Sequence, residues 1–399
     1  MRAERAEEAE RVERAERAER TEPETSPLGA RSSSAFSALS ALSAVALVGC
    51  APTPPETAGF VYRLGVDTTA VASVTWTGGR VEGVYVNRVP QTSVHRWQAR
   101  VGSDGTVEAL ERTQHRSDSL VERLVMTFHN DSAVTERHRG DSVTETRSAA
   151  PRGTVPNLAA STLGLLELMT RRAVASGAEQ ITLHRLAPGD TAETTDTLVR
   201  AAPDSFASAG PGLSLRVDSA GRILAMGGNV ERVDSLDIEA VAASFGDRPL
   251  GALSPRDSLR VTVAGATISV EYGRPKKRGR VIFGGLVPWG TVWRTGAGDA
   301  TVLTTDRDLL MGRTVIPAGS YSLFTLPSSS GWQLIVSTKT GEDAATYEEA
   351  RDLARVALRV DTVPDPLEQF TIAVEPAARG GVLRLAWDRT SAWVEFRRR

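Results

Sequence analysis

The side chains best suited to binding chemistry lie close together between residues 272 and 301. Basic and aromatic residues are interleaved there with glycines, and the candidates for ligand contact are Tyr272, Arg274, Lys277, Arg280, Trp289, Trp293, Arg294 and Asp299. Guanidinium groups can hold a carboxylate or phosphate through paired hydrogen bonds, and indole rings can stack on sugars. The glycines let the backbone turn and approach another surface closely. The pattern therefore predicts a surface for an anionic or glycan ligand.

The same residue types also suit a structural role, and both interpretations stay open at this point. Trp289 and Trp293 lie four residues apart near the start of a strand, where aromatic side chains often cap a core. Arg294 could equally be the buried ion-pair partner of Asp299, which would lock the turn instead of contacting a ligand.

Catalysis has less support. There is no histidine after His184 and no cysteine after Cys50, which excludes Cys–His chemistry, a Ser–His–Asp relay and a histidine-ligated metal in the C-terminal region. Walker, dinucleotide and nucleophile-elbow glycine motifs are absent as well. Glu271 and Asp299 could form an acid/base pair, so a carboxylate-dependent hydrolase acting on envelope or extracellular material is the alternative. We expect no catalytic residue, no metal and no cofactor.

The histidines do not change this expectation. Four of the five lie between His95 and His138, and their spacing matches no compact metal-ligand motif. Because the surrounding segments alternate like strands, we expect these histidines to face solvent.

Cys50 is the only cysteine of the chain and ends an uncharged stretch of small and apolar residues that follows Arg31. Leu47-Val-Gly-Cys50 resembles the lipobox of bacterial lipoproteins, and the resemblance implies that residues 31–49 are a signal peptide and that Cys50 is lipidated. The implied partner is a membrane. Ala51, where an inner-membrane retention signal would place Asp, favours the periplasmic side of the outer membrane if the cell has two membranes.

The charged extension at residues 1–30 repeats Ala, Glu and Arg and lacks the apolar stripe of a coiled coil. We expect it to be disordered or untranslated, with translation starting near Leu28. The whole chain has 47 basic and 49 acidic residues, a formal net charge of -2, so nothing in its charge indicates a nucleic-acid partner.

Hydrophobic patterning divides the remaining chain into a Pro/Thr linker at residues 50–59, a β-rich domain at 60–248 and a second domain at 254–399. Alternating apolar residues in the first domain predict consecutive antiparallel hairpins, with strands at 180–186 and 223–226 among them. An amphipathic helix is predicted near residues 158–176, where the apolar spacing changes to three to five. We therefore expect one sheet packed against one helix.

The second domain carries distinctive motifs, among them Ile268-Ser-Val-Glu-Tyr-Gly-Arg-Pro275, Val292-Trp-Arg-Thr-Gly-Ala-Gly-Asp-Ala-Thr301 and Ile316-Pro-Ala-Gly-Ser-Tyr-Ser-Leu-Phe324. These motifs resemble domain-of-unknown-function family 2911, a family of small secreted bacterial domains without an assigned activity. Gly298-Asp299 departs from the family's Asn-Glu pair, and Lys277-Arg-Gly-Arg280 departs from its Lys-Gly-Arg.

Nine short strands are predicted in the second domain, among them segments 332–337, 355–360, 370–374, 383–387 and 392–396. Together with a helix predicted at 344–353, they indicate a β-sandwich or jelly-roll-like arrangement. The fold class expected for the whole is mainly β, with two antiparallel β domains. The function expected is that of a lipid-anchored, non-catalytic binding or interaction protein. A third hypothesis is a lipid-shielding carrier, because a sheet wrapped around one apolar helix resembles the architecture of carriers that shield lipids in the envelope.

Overall fold

The computed structural model describes residues 55–158, 163–209, 212–246 and 248–399. Cys50, the predicted signal peptide, the charged extension and the first half of the predicted linker lie outside the described residues, whereas residues 56–59 of that linker belong to the first strand. Within the described ranges no helix combines the length and the apolar character that crossing a membrane requires.

The first half of the chain forms one 15-stranded sheet. Its strands are β1 (Glu56–Leu64), β2 (Asp67–Thr77), β3 (Arg80–Asn87), β4 (Ser93–Val101), β5 (Val107–Arg116), β6 (Ser119–His129), β7 (Ser132–Arg139), β8 (Ser142–Ala149), β9 (Val155–Pro156), β10 (Gln180–Leu186), β11 (Thr194–Ala202), β12 (Ser205–Ser208), β13 (Ser214–Val217), β14 (Ile223–Met226) and β15 (Val230–Val233).

The strand order is β8-β7-β6-β5-β4-β3-β2-β1-β15-β14-β13-β12-β11-β10-β9. Neighbours are antiparallel throughout, except that β9 runs parallel to β10. The loop between β10 and β11 returns to β8, where the Ala149 amide donates to the Thr191 carbonyl at 2.9 Å. The sheet therefore curls until its two ends meet.

Helix α1 (Leu163–Ser176) packs on the inner face of this sheet, which we define as the face that carries Phe60, Val74, Trp76 and Leu124. Alternation along β2 sends Val74 and Trp76 inward and leaves the intervening polar residues outside. The Trp76 indole donates to the Gly164 carbonyl at 3.0 Å. A Cβ atom at Gly164 would collide with Val74, so only glycine permits this close approach.

A buried carboxylate joins the helix to the far strands. Glu167 of α1 is fully buried and accepts a hydrogen bond from the Ile223 amide at 3.0 Å. The same side chain accepts from Arg171 and from Arg232 on β15, the latter at 2.7 Å. The ion pairs fix α1 against β14 and β15.

A second helix, α2 (Ile238–Phe245), covers part of the outer face. Asp237 caps it by accepting from the Ala240 amide at 2.9 Å, and Gly246 ends it. Its Phe245 packs with Val71 and Val86, which alternate away from the inner core.

The second half forms a nine-stranded sheet in the order β16-β17-β18-β21-β22-β23-β24-β19-β20. Its strands are β16 (Arg256–Val263), β17 (Ala266–Gly273), β18 (Thr301–Thr305), β19 (Leu309–Met311), β20 (Thr314–Ile316), β21 (Gly319–Leu326), β22 (Trp332–Ser337), β23 (Asp352–Ala377) and β24 (Gly380–Arg398). Short 3₁₀ turns occur at Glu342–Ala345 and Glu349–Arg351. A separate hydrophobic core fills this part.

The mainly-β class, with two antiparallel sheets and one helix against the first of them, is confirmed. The predicted helix at 344–353 is wrong: residues 349–351 form a 3₁₀ turn and β23 begins at Asp352. The segments predicted as separate strands at 355–360 and 370–374 belong to one long strand, and so do those at 383–387 and 392–396.

Arg278 joins the two sheets. Its buried guanidinium pairs with Asp67 at the start of β2, and the Val66 amide donates to the Arg278 carbonyl at 3.0 Å. The described residues from 55 onward accordingly form one compact unit.

Candidate functional site

The loop that joins β17 to β18 carries the predicted ligand contacts and is tied to the second sheet. Trp293 and Thr325 exchange two backbone hydrogen bonds of 2.8 Å, and the Gly290 amide donates to the Pro327 carbonyl at 2.8 Å. Because β21 and the turn after it hold the loop, its side chains occupy fixed positions.

An aromatic cluster lies beneath this loop. Phe283 contacts Trp332 edge-on, with 4.6 Å between ring centroids, and Trp293 contacts Phe370 at 5.0 Å. Tyr272 is buried and also packs on Phe370, at 5.8 Å. The Trp293 indole donates to the Gly296 carbonyl at 3.1 Å, so Trp293 closes the core and stabilises its own loop.

Trp289 is placed differently. Its side chain is 47% exposed, and its ring rests against Phe283 and Trp332 at centroid distances of 6.2 and 6.4 Å. Its indole N–H donates to no acceptor within the described residues. Leu286 and Val281 are exposed on the same loop. Trp289 is therefore a surface aromatic side chain on a rigid base.

The basic candidates are engaged within the protein. Arg274 pairs with Asp257 at 2.8 Å and also donates to the Phe370 carbonyl at 3.2 Å. Lys277 pairs with Asp388 at 2.6 Å. Arg280 donates to the carbonyl of Lys277 at 3.1 Å and to that of the residue before it, and burial lowers the pKa of its guanidinium. These three side chains hold the loop in place.

Arg294 and Asp299 are both exposed, and no ion pair joins them in the described part of the chain. The Arg294 guanidinium donates to the Gly298 carbonyl at 2.9 Å. The structure thus gathers Tyr272, Arg274 and Trp293 around Phe370 and leaves Trp289, Arg294 and Asp299 at the surface.

The hydrolase alternative depends on the carboxyl groups. Glu271 lies 3.7 Å from Arg256 on the neighbouring strand. A general acid at neutral pH needs a raised pKa. The carboxyl groups whose pKa departs clearly from its ordinary value all shift downward, and they are Glu56, Asp104, Glu111, Glu122, Asp218, Asp306 and Glu348.

The inner face of the first sheet holds a charged cluster that the sequence reasoning missed. We define the arginine cluster as Arg112 on β5, Glu122 on β6, and Arg137 and Arg139 on β7. Alternation is the signal that could have found it, because Glu122 shares a strand face with the buried Leu124.

His95 lies beside this cluster and corrects the expectation that the histidines face solvent. It is paired with the inward Tyr85 across β3 and β4, and its ring contacts that of Tyr85 at 5.7 Å. Burial, reinforced by the charge of Arg112, lowers the pKa of His95 to about 4. His129 is exposed, and the other four histidines are partly buried. In the described residues no group of three His, Cys, Asp or Glu is placed to hold a metal.

A polar groove of about 370 Å³ opens on the outer face of β2 to β5. Its charged side chains already have partners: Arg80 pairs with Glu82 at 3.0 Å, and Arg96 pairs with Glu239 of α2 at 3.0 Å. These ion pairs are exposed, and exposed pairs contribute little to stability.

No curated protein matches the chain. Among solved structures it is similar to a DUF1089 family protein from Pseudomonas aeruginosa, at 9% identity and a TM-score of 0.29, over 41% of this chain and 92% of that one. It is also similar to a beta-barrel-like protein of domain of unknown function DUF1849 from Brucella abortus, at 11% identity and a TM-score of 0.29, over 46% of this chain and 97% of that one. Neither likeness is close enough to inform activity.

The motif resemblance in the second half has a firmer basis. Residues 254–396 match the family described as "Protein of unknown function (DUF2911)", and this range begins just before β16 and ends within β24. This match confirms that the C-terminal region of the chain, residues 254–396, resembles the DUF2911 family.

Proposed function

We propose that this chain is a lipid-anchored, non-catalytic protein of the bacterial envelope that binds carbohydrate through Trp289. The observation that carries the proposal is the exposed indole on a rigid aromatic base, with its N–H free to donate. Sugar rings present apolar C–H faces that stack on indoles, and hydroxyl groups that accept hydrogen bonds from an indole N–H.

The surroundings of Trp289 fit a sugar. The turn beside it carries Ser328 and Ser330, whose hydroxyl oxygens lie 3.1 Å apart, and the Gly290 amide binds this turn through the Pro327 carbonyl. Hydroxyl groups next to an aromatic platform provide the polar contacts that orient a sugar. The base under Trp289 is pre-formed, so little side-chain entropy is lost on binding.

The anchor in this proposal comes from the sequence around Cys50. Lipidation there would hold the protein on the periplasmic side of the outer membrane, where peptidoglycan is within reach of a short tether. The exposed Arg294 gives the same domain a cation for acidic sugars.

The two other hypotheses receive no such support. A carboxylate-dependent hydrolase requires a carboxyl group with a raised pKa near a second carboxyl group. Where the pKa of a described carboxyl group departs clearly from its ordinary value, as for Glu56, Glu122 and Asp306, it is lowered. A lipid carrier requires an apolar cavity, whereas α1 packs its Leu163 and Leu165 into the inner face of the first sheet.

The test is glycan binding by the full chain in mild detergent, measured by calorimetry against peptidoglycan fragments and neutral and acidic oligosaccharides. Trp289→Ala should weaken binding at least about tenfold, because an aromatic hot-spot residue contributes roughly 2 kcal/mol or more. Trp393→Ala is the matched control, since this half-buried indole lies on β24 and already donates to Asp361.

Arg294→Ala separates ligand classes, because it should weaken only acidic sugars. The proposal fails if no glycan binds, or if both tryptophan variants lose the same affinity. It also fails if Trp289→Ala abolishes binding to lipid vesicles and leaves the binding of every sugar unchanged.

A further inference from the structure

The arginine cluster places three positive charges around one negative charge on the inner face of the first sheet. Glu122 is buried and accepts from Arg112 and, at 2.7 Å, from Arg139, while Arg137 lies 3.6 Å away. Among the described residues no second carboxylate reaches ion-pair distance of these arginines. The cluster therefore has a net charge of about +2, counting each guanidinium as always protonated.

Neighbouring groups neither neutralise nor increase this charge. Burial and the charge of Arg112 lower the pKa of His95 to about 4, so His95 is neutral near pH 7 and adds no positive charge to the cluster. From the opposite side of the curled sheet, the Pro188 carbonyl accepts from Arg137 at 3.0 Å and provides only a dipole.

Several donors in the cluster have no acceptor although water cannot reach them. The Nε atoms of Arg112 and Arg137 and the hydroxyl of Thr135, two residues before Arg137 on β7, are buried without a hydrogen-bond partner. Thr135 is 3% exposed. Buried hydrogen-bond donors nearly always have an acceptor in native proteins. Three unsatisfied donors on neighbouring strands therefore indicate that the cluster binds an acceptor from outside the chain.

The cluster also has an entrance. The side chain of Arg139 is 63% exposed and that of Arg137 is 30% exposed, whereas those of Glu122 and Arg112 are 5% and 13% exposed. Exposure therefore decreases from Arg139 inward, and an ion arriving from solvent meets Arg139 first.

We propose that the arginine cluster is a binding site for an oxyanion, a carboxylate or phosphate group that is held by Arg137 and Arg139. Guanidinium forks match the paired oxygens of both groups. Glu122 occupies part of the same donor set, so it acts as an internal competitor that keeps the arginines in position when the ligand is absent. The site lies in the first sheet and is independent of Trp289.

The first experiment follows the unfolding temperature and calorimetric affinity of the full chain in mild detergent. Phosphate and acetate are titrated separately at constant ionic strength, with chloride as the reference salt. We expect one or both oxyanions to bind, and their ranking tells phosphate from carboxylate ligands.

Two variants test the location of the site. Arg139→Gln should weaken oxyanion binding at least about tenfold, the factor associated with one charge-assisted hydrogen bond. Arg147→Gln on β8 is the matched control, because its side chain is 80% exposed and pairs only with Glu145.

Glu122→Gln tests the competition and should tighten binding, because it frees donors and removes the repelling charge. The proposal is overturned if neither oxyanion acts beyond chloride, if Arg139→Gln and Arg147→Gln lose affinity equally, or if a folded Glu122→Gln protein binds more weakly. If Glu122→Gln does not fold, the comparison of the two arginine variants decides alone, since Arg139 and Arg147 are both exposed.

Discussion

Replacing Glu167 with alanine should be among the most destabilising substitutions in the first sheet. The Glu167 carboxylate is fully buried and accepts from the Ile223 amide at 3.0 Å and from Arg232 at 2.7 Å, besides its contact with Arg171. Without the Glu167 carboxylate, Arg171 and Arg232 keep Glu56 as their only carboxylate partner among the described residues. The Glu56 side chain is 37% exposed, so it compensates the buried charges only in part.

The expected cost in the free energy of unfolding follows from these contacts. Removing one partner of a buried ion pair costs about 3–5 kcal/mol, because the remaining charge stays buried without compensation. Arg232, at 13% side-chain exposure, is that remaining charge. Glu167→Gln keeps an acceptor for the Ile223 amide and should lose less, roughly 1.5–3 kcal/mol, which is the value of a hydrogen bond to a charged group.

The assay is urea denaturation followed by circular dichroism, with Glu239→Ala as control. Glu239 also pairs with an arginine, Arg96, but both side chains are at least half exposed, so its loss should be below about 1 kcal/mol. A Glu167→Ala loss no larger than the control loss would refute the reasoning, because it would mean that the ion pairs do not hold α1 in place.

Three further predictions rest on other contacts. Burial lowers the pKa of His95 from 6.5 to about 4, so between these pH values the unfolded chain binds a proton that the folded chain does not. The free energy of unfolding should therefore drop by up to roughly 3 kcal/mol as the pH falls from 6.5 to 4. His95→Gln should make the free energy of unfolding, measured by urea titration, less dependent on pH in this range. Asp67→Ala leaves the buried Arg278 guanidinium without its carboxylate partner and should lower the free energy of unfolding by about 3–5 kcal/mol. Adding Arg278→Met should restore most of this stability, and equal instability of the single and double variants would contradict the prediction. Cys50→Ala should abolish incorporation of labelled fatty acid and release the protein from the membrane fraction, and unchanged labelling would disprove lipidation at this residue.

Most of the strands could be predicted because alternation reports directly which face of a strand is buried. Segments 180–186, 223–226 and 332–337 were predicted as strands and have these bounds in the structure. Strands with many charged residues, such as β7 and β8, lack a clear apolar face and were missed. Their inner face carries arginine and threonine where other strands carry leucine or valine.

The helix predicted at 344–353 failed because tertiary pairing overrode local preference. From Ala354 onward, alternate residues are buried, and the backbone pairs with β22 over residues 352–358. The opposite error concerns α2: its Asp237 cap and Gly246 terminus were visible in the sequence, but eight residues are too few to establish a helical period.

The candidate site shows where a single sequence stops being informative. Trp289 and Trp293 are the same residue type four positions apart, yet the backbone pairing of Trp293 with Thr325 turns one into the core and leaves the other exposed. Likewise, the partners of Arg274 and Lys277 are Asp257 and Asp388, and nothing in the spacing of these residues indicates which acid each base meets.

The sequence predicts which strand face carries the arginine cluster but not whether that face is buried. Alternation alone assigns Arg112, Glu122 and Arg137 to one face of neighbouring strands, since each aligns with inward residues such as Leu124. Whether this face is buried, however, depends on the curl of the sheet and on the loop that brings Pro188 to Arg137. Replacing a buried ion pair by apolar residues is often neutral or stabilising, so the buried pair of Arg112 and Glu122 is weak evidence for a role in stability. The excess positive charge comes from Arg137 and Arg139, whose side chains are 30% and 63% exposed, and the proposed anion would give these two residues a role.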